Sequence, residues 1–343
     1  MAFRAPISDL PTHQVSNQPP PFADLNLFEI DRPMQEALAR EGGQAFLKKV
    51  RDLGAVMGSA AAFEQADAAN KAKPQLQTFD RYGRRVDEVT FHPAYHWLME
   101  TGISHGIPAI AWTAGSGGHV AHTALEYVFA QVEGGVCCPL TMTYAAVPLL
   151  RRVPELDAVW TPKVLSGRYD PRLVPVAEKQ GATIGMAMTE KQGGSDVRSN
   201  ETRAEPAGDG WYRLTGHKWF CSAPMSDAFF PLARTEHGLS CFFLPRWRPD
   251  GTRNPFFIQR LKDKLGNRSN ASAEIEYAGS LALLVGEEGR GLQTIIEMVH
   301  HTRLDTAMAP TALMRQALVQ AIHHARHRIA FQRRLVDQPM MRR

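Results

Sequence analysis

The chain has 343 residues, 44% of them hydrophobic and 22% charged, which is long enough for two or three cooperating domains with real cores. Its net charge is only +4, and no apolar run approaches the length needed to cross a bilayer. The polar, Pro-rich start from Met1 to Pro21 lacks the apolar stretch of a secretory signal, and Cys137, Cys138, Cys221 and Cys241 have neither disulfide-framework nor zinc-ligand spacing. A reducing, cytoplasmic setting is therefore expected.

After a flexible lead-in, Asp31-Arg32-Pro33 gives a cap followed by proline near the first helical position. Helical stretches are expected over 34–51, 62–72, 94–113 and 119–150, with Val120, Leu125, Val128, Phe129 and Val132 on one face. Breaks are expected at Ala114-Gly115-Ser116-Gly117-Gly118 and between Pro148 and Pro162. From about Gly185 the period changes. Short aromatic and β-branched runs over 203–205, 211–216, 229–235, 239–244, 256–261 and 273–277 are separated by turns such as Gly208-Asp209-Gly210. That spacing leaves no room for crossover helices and implies an antiparallel barrel or sandwich. Past Gly286, Leu292, Ile295, Ile296 and Val299 make one helical stripe. Pro310 should interrupt it before a second stripe from Leu313 to Ile329, and the chain stops at Arg343 inside what reads as continuing helix.

Charge is unevenly spread. From Arg315 to Arg343 seven arginines meet a single acid, Asp337, leaving 32 basic against 34 acidic residues elsewhere. This is either a solvated helix face or one directed at an anion.

The most informative residues are Met188-Thr189-Glu190-Lys191-Gln192-Gly193-Gly194-Ser195-Asp196 and Gly216-His217-Lys218-Trp219-Phe220-Cys221-Ser222. The glycines allow close backbone approach to a ligand, Thr189 and Ser195 offer hydroxyls, and Trp219 offers a stacking face, which together suit a flat aromatic cofactor. This pair resembles the flavin-binding signature of the acyl-CoA dehydrogenase family. Asp263 to Ser269 and Val285 to Leu292 resemble the family's junction between its middle and last domains. The segments Phe79 to Val89, Phe91-His92-Pro93 and Cys138 to Thr143, with the Lys191-Gln192 pair, resemble its AidB branch, flavoproteins of the bacterial alkylation response.

The resemblance implies an α+β multidomain fold: a lead-in (1–25), an N-terminal α-helical domain (26–183), a middle antiparallel β-barrel that binds flavin (184–286), and the first helices of an incomplete C-terminal α domain (287–343). It implies FAD held by Met188, Thr189, Glu190, Gly193, Gly194, Ser195, Trp219, Phe220 and Ser222. More weakly, it implies Arg328, in a segment that reaches the flavin pyrophosphate of a neighbouring subunit; here Gln332 replaces that segment's glycine. A homotetramer acting on acyl-CoA is implied by the same route, with duplex DNA as a partner through a C-terminal region beyond Arg343. The alternative is a flavin-stabilised DNA-binding protein of the alkylation response with little turnover.

Several other patterns carry less. Gly193-Gly194-Ser195-Asp196-Val197 lacks the closing glycine of a hydrolase elbow, and Gly115 to Val120 falls one glycine short of a dinucleotide fingerprint. His323 and His327 have helical zinc spacing without its glutamate and beside Arg326 and Arg328, so no metal is expected. Cys221 reads as packing. The base for α-proton removal is missing: the resemblance places it beyond Arg343 or, in the isovaleryl-type branch, at the position of Thr302, which cannot serve. No catalytic residue is therefore assigned.

Overall fold

Asp31 opens the first helix by accepting the Met34 amide at 3.2 Å, and its carboxylate is held from two further directions by Tyr127 Oη (2.9 Å) and Arg315 (3.1 Å). One buried cap thus joins the first helix to two others. The computed structural model describes residues 11–342. The N-terminal region contains α1 (Arg32–Leu38), α2 (Leu47–Met57), α3 (Ala60–Lys71), a hairpin of β1 (Gln75–Phe79) and β2 (Arg85–Thr90), then α4 (Pro93–Ser104), α5 (Ile110–Thr113), α6 (Gly118–Ala130), α7 (Cys137–Leu150) and α8 (Pro154–Val164).

The long helices expected here are subdivided, each for a local reason. The 34–51 stretch is interrupted because Gly42 adopts φ +91°. The 119–150 stretch breaks in the connection between α6 and α7, around Glu133, whose carboxylate accepts the Gly135 and Val136 amides (3.0 and 2.6 Å), Asn70 Nδ2 and the Ser269 hydroxyl. The break expected between Pro148 and Pro162 falls at residues 151–153, between α7 and α8, although neither proline makes it. Pro148 and Pro162 lie inside α7 and α8. Pro148 cannot donate to the Tyr144 carbonyl, and Trp112 Nε1 does so instead at 2.9 Å. The β1–β2 hairpin within the helical region was not expected. Its turn is built by Asp80, which accepts the Tyr82 and Arg84 amides, and by Gly83 at φ +77°. Of the expected lead-in, residues 1–10 lie outside the described residues. In the described part, Asn17 exchanges hydrogen bonds with the Ile329 backbone, and the Leu25 amide donates to Gly58 O.

Strands β3 (Ile184–Ala187), β4 (Arg203–Gly208), β5 (Trp211–Ser222), β6 (Ala228–Thr235), β7 (Gly238–Pro245), β8 (Phe257–Leu261) and β9 (Ser272–Val285) come next. The pairings β6–β7, β7–β9, β9–β5, β5–β4 and β4–β6 close a ring, with β3 added on β6 and β8 on β9. Most are antiparallel, as turn spacing requires; β3–β6 and the single contact closing β4 on β6 are parallel. Phe229, Phe242, Leu214, Ile275 and Ala282 are fully buried in this layer.

The region after the barrel departs from expectation. A single helix, α9 (Gly291–His327), runs for 37 residues straight through Pro310 and then stops. Beyond it the chain turns into a short hairpin rather than more helix: β10 (Ile329–Ala330) and β11 (Arg333–Arg334), turned by Phe331 and Gln332 at φ +51° and +63°. Buried α7, apolar around its whole circumference, lies between α9 and the barrel, with 12 of its 14 residues inaccessible. The second stripe of α9 is largely uncovered: Leu313, Met314 and Leu318 are 54–63% exposed.

Candidate functional site

The loop after β3 and the middle of β5 are stitched together at the backbone. Trp219 N donates to Thr189 O at 2.7 Å, Lys191 N donates to His217 Nε2 at 3.0 Å, and Asn200 Nδ2 donates to Met188 O at 2.8 Å. Thr189 and Trp219, far apart in sequence, are thereby neighbours. Gly193 closes the loop on Glu190 O at φ +132°, and Gly194 lies so close to Thr189 that a Cβ would stand 2.6 Å from its hydroxyl.

Glu190, expected among the cofactor-holding residues, has its carboxylate committed inside the protein. Its carboxylate accepts from Lys218 Nζ (2.7 Å), Thr202 N and Oγ1 (3.1 and 2.6 Å), Glu201 N (2.7 Å) and Gln192 Nε2 (2.9 Å), leaving nothing to offer a ligand. Burial alone would raise its pKa, but Lys218 and these donors hold it down to about 2, while burial pulls Lys218 below its ordinary value. Both side chains are completely inaccessible.

Strand β5 bulges between Lys218 and Cys221, and this decides which way its aromatics point. Lys218 and Cys221 go inward, and Phe220, at φ +58°, is turned outward and is exposed. Trp219 is half-buried, its ring edge-on to Phe220 (5.3 Å), with Lys191 and Arg260 near its face at 5.9 and 5.8 Å. Its Nε1–H is buried without an acceptor. Ser222 ends the strand with its hydroxyl 3.3 Å from that of Ser272. Burial holds the Cys138 thiol above its ordinary value and pushes Cys221 up to about 12, so both remain protonated, in line with packing roles.

Phe220 and Ser222 border a cleft of about 480 Å³. Met186 from β3, Cys138, Thr141 and Met142 from α7, and Thr302, Asp305 and Leu313 from α9 complete its walls. Ser195 lies on the exposed loop, and of Thr189, Ser195, Trp219 and Ser222 only Ser222 is among the residues that line this cleft. Thr302 does face this cleft, and its hydroxyl donates to Val299 O at 2.9 Å.

At the inner end of the cleft lies a cluster that sequence reading missed. His122, on α6, places Nε2 3.0 Å from Asp305 Oδ1 and 3.3 Å from Glu126 Oε2, with Nδ1 2.7 Å from Ile107 O. All three residues are buried. Burial, with the repulsion of Asp305, raises the Glu126 carboxyl to about 8. Burial would lower His122, but its bond to Asp305 outweighs this and the imidazole is raised. The His122–Glu126 spacing of one helical turn was visible in the sequence; Asp305, 183 residues from His122, was not.

Arg328 does not join the flavin-loop residues. It caps α9, donating its amide to His324 O and its guanidinium to Asn17 O (2.7 Å), because the chain leaves the helix there. The basic stretch is partly consumed in the same way, with Arg315 on Asp31 and Arg342 on Asp337. The His323 and His327 rings lie 4.4 Å apart at a 46° tilt, but His323 Nε2 faces Pro20 O and His327 Nδ1 faces His323 O. Among the described residues no helix is long and apolar enough to cross a membrane.

Comparison with known proteins agrees with this architecture. Residues 17–171 match the adaptive response protein AidB N-terminal domain, 185–279 the acyl-CoA dehydrogenase middle domain, and 289–343 the acyl-CoA dehydrogenase C-terminal domain. The putative acyl-CoA dehydrogenase AidB of Escherichia coli is 48% identical over 334 residues, covering 96% of this chain and 62% of that protein. Acyl-CoA dehydrogenase family member 11 of Caenorhabditis elegans is 31% identical over 277 residues, 77% of this chain and 44% of that protein. The crystal structure of Caenorhabditis elegans ACDH-11 in complex with C11-CoA superposes with a TM-score of 0.85 at 25% identity, over 99% of this chain and 60% of that one. The chain thus spans 44–62% of the length of these curated relatives. On the matching domains, the shared fold and the 48% identity, this chain belongs to the acyl-CoA dehydrogenase family, with an AidB-type N-terminal domain.

Proposed function

We propose that this chain carries the flavin-binding part of an FAD-dependent acyl-CoA dehydrogenase-type oxidoreductase, with 184–286 as the flavin-binding middle domain between the N-terminal α-helical region (26–183) and the C-terminal helical region (287–343). The observation that carries the reading is Trp219: its backbone amide donates to Thr189 O, and its half-buried indole has an Nε1–H that is buried and unanswered by any protein acceptor. A buried donor without a partner costs about 1–3 kcal/mol, and a cofactor oxygen or nitrogen would remove that cost. The nearby cations Lys191, Arg260 and Lys262 suit a pyrophosphate-bearing ligand.

FAD, when bound, supplies a hydride acceptor. The protein's own contribution is positional. Trp219 would wall one side of the ring system, Thr189 and Ser222 would offer hydroxyls to it, and the Gly193-Gly194-Ser195 turn would offer backbone amides. Met142, Met186 and Leu313 give the adjoining cleft an apolar wall that suits an acyl chain and excludes water. Thr302 takes no proton there, since a threonine hydroxyl is no base at neutral pH. The uncovered stripe of α9 supports assembly with further helices, as in a homo-oligomer. No feature among the described residues favours the duplex-DNA reading over this one.

The test is a flavin titration of the purified protein and its Trp219→Ala variant, read by absorbance and by flavin fluorescence. The reading expects at least tenfold weaker FAD binding in the variant. Equal affinity in a folded variant would reduce Trp219 to a core residue and overturn the assignment.

A further inference from the structure

We propose that His122, Glu126 and Asp305 bind one divalent transition-metal cation, of the zinc class, at the inner end of the cleft. The three ligand atoms lie within 4.8 Å of one another, and this is the one such group among the described residues. Two of the separations are 3.0 and 3.3 Å. Neighbouring ligand atoms around a cation bound at about 2.0–2.2 Å stand roughly 3.0–3.5 Å apart. A cation therefore fits with small side-chain adjustments.

The surroundings are those a metal-binding imidazole needs. Ile107 O can only accept, so His122 Nδ1 carries a proton and Nε2 is the atom left to coordinate. The Thr141 hydroxyl donates to Glu126 Oε1 at 2.7 Å, holding the second ligand from behind. Glu126 Oε2 and Asp305 Oδ2, in residues 1% and 2% exposed, accept no hydrogen bond of good geometry, the nearest approach to Oε2 being His122 Nε2 at 3.3 Å. Neither carboxylate forms an ion pair with a lysine or arginine among the described residues. With both acids ionised and the imidazole neutral the cluster carries −2, which a divalent cation cancels as it displaces the proton that Glu126 otherwise holds. Imidazole with two carboxylates is a ligand set for zinc and its neighbours rather than for calcium, and three protein ligands leave a coordination position for water or a carbonyl oxygen. Glu126 and Asp305 also border the cleft, which gives that position an entry path. The competing occupants are protons, one on Glu126 and a second on His122 that would make it an imidazolium between the two acids.

The experiment uses the purified protein, stripped with chelator and titrated with Zn²⁺, read by calorimetry and by metal content after dialysis; Co²⁺ substitution gives a visible spectrum. One equivalent per chain is expected. Asp305→Asn and His122→Gln should each abolish it, and Thr141→Val should weaken it about 10–100-fold through the lost support. The His323→Gln/His327→Gln double variant should keep it, and so should Trp219→Ala, so the metal site and the flavin reading stand or fall separately. No bound Zn²⁺ or Co²⁺, or an equivalent that persists in both Asp305→Asn and His122→Gln, would overturn the proposal in favour of the imidazolium. If those two variants do not fold, an unchanged Zn²⁺ affinity in Thr141→Val overturns it.

Discussion

Lys218 Nζ sits 2.7 Å from Glu190 Oε1 with both side chains wholly enclosed, and the pair ties the strand that carries Trp219 to the loop that carries Thr189. Each charge is tolerable only because of the other. The carboxylate is further satisfied by Thr202 and Glu201, which is what allows an ion pair to persist in a protein interior. The pair is therefore the scaffold of the candidate flavin site rather than a contact with its ligand.

Removing one partner should be costly. Lys218→Met leaves an uncompensated buried carboxylate and Glu190→Gln an uncompensated ammonium, each expected to lose about 3–5 kcal/mol in urea unfolding. The double variant Glu190→Gln/Lys218→Met should recover a large part of the loss. Additive losses in the double-mutant cycle would show that the two groups are not coupled.

Gly194 is the second point of sensitivity. A methyl group there would meet Thr189 Oγ1 at 2.6 Å and Cγ2 at 3.0 Å, so Gly194→Ala must displace the Thr189 side chain. A drop in FAD affinity of roughly tenfold, about 1.4 kcal/mol, is expected at nearly unchanged stability. Gly193→Ala meets open space but sits at φ +132°, so its cost, about 1–3 kcal/mol, should appear in stability. Equal FAD titrations for wild type and Gly194→Ala would remove Thr189 from the site.

Stability should depend on pH in two separate windows. Folding raises Glu126 from its ordinary 4.5 to about 8, so the folded chain keeps that proton longer than the unfolded one. The stabilisation is full below about pH 4.5 and is lost as pH rises toward 8; the raised His122 acts in the same sense above its ordinary 6.5. Glu190, held at about 2, acts oppositely: its contribution is full above about pH 4.5 and is lost as pH falls toward 2. Melting temperatures of chelator-stripped protein should thus decline between pH 5 and 8, and Glu126→Gln should flatten that decline. An unchanged slope in the variant would mean that Glu126 does not hold the proton.

The order of helical and β regions and the barrel strands were legible in the sequence, because each rests on local physics. Turn residues recur too closely for crossover helices, and Gly193, Gly194, Thr189 and Trp219 announce themselves by residue type and spacing. Local physics also misled where distant groups overrode it. Pro148 reads as a helix breaker until Trp112 supplies the missing donor to Tyr144, and the helical period past Leu313 gives no warning that the chain will turn at Phe331 and Gln332. Glu190 looked like a ligand group beside Thr189, yet whether a carboxylate faces a cofactor or a lysine depends on which strand packs over it, and Lys218 comes from a strand 28 residues on. The His122–Glu126–Asp305 cluster is the limiting case. Two helices far apart in the chain meet there, and only their packing makes a histidine and two acids into one buried site.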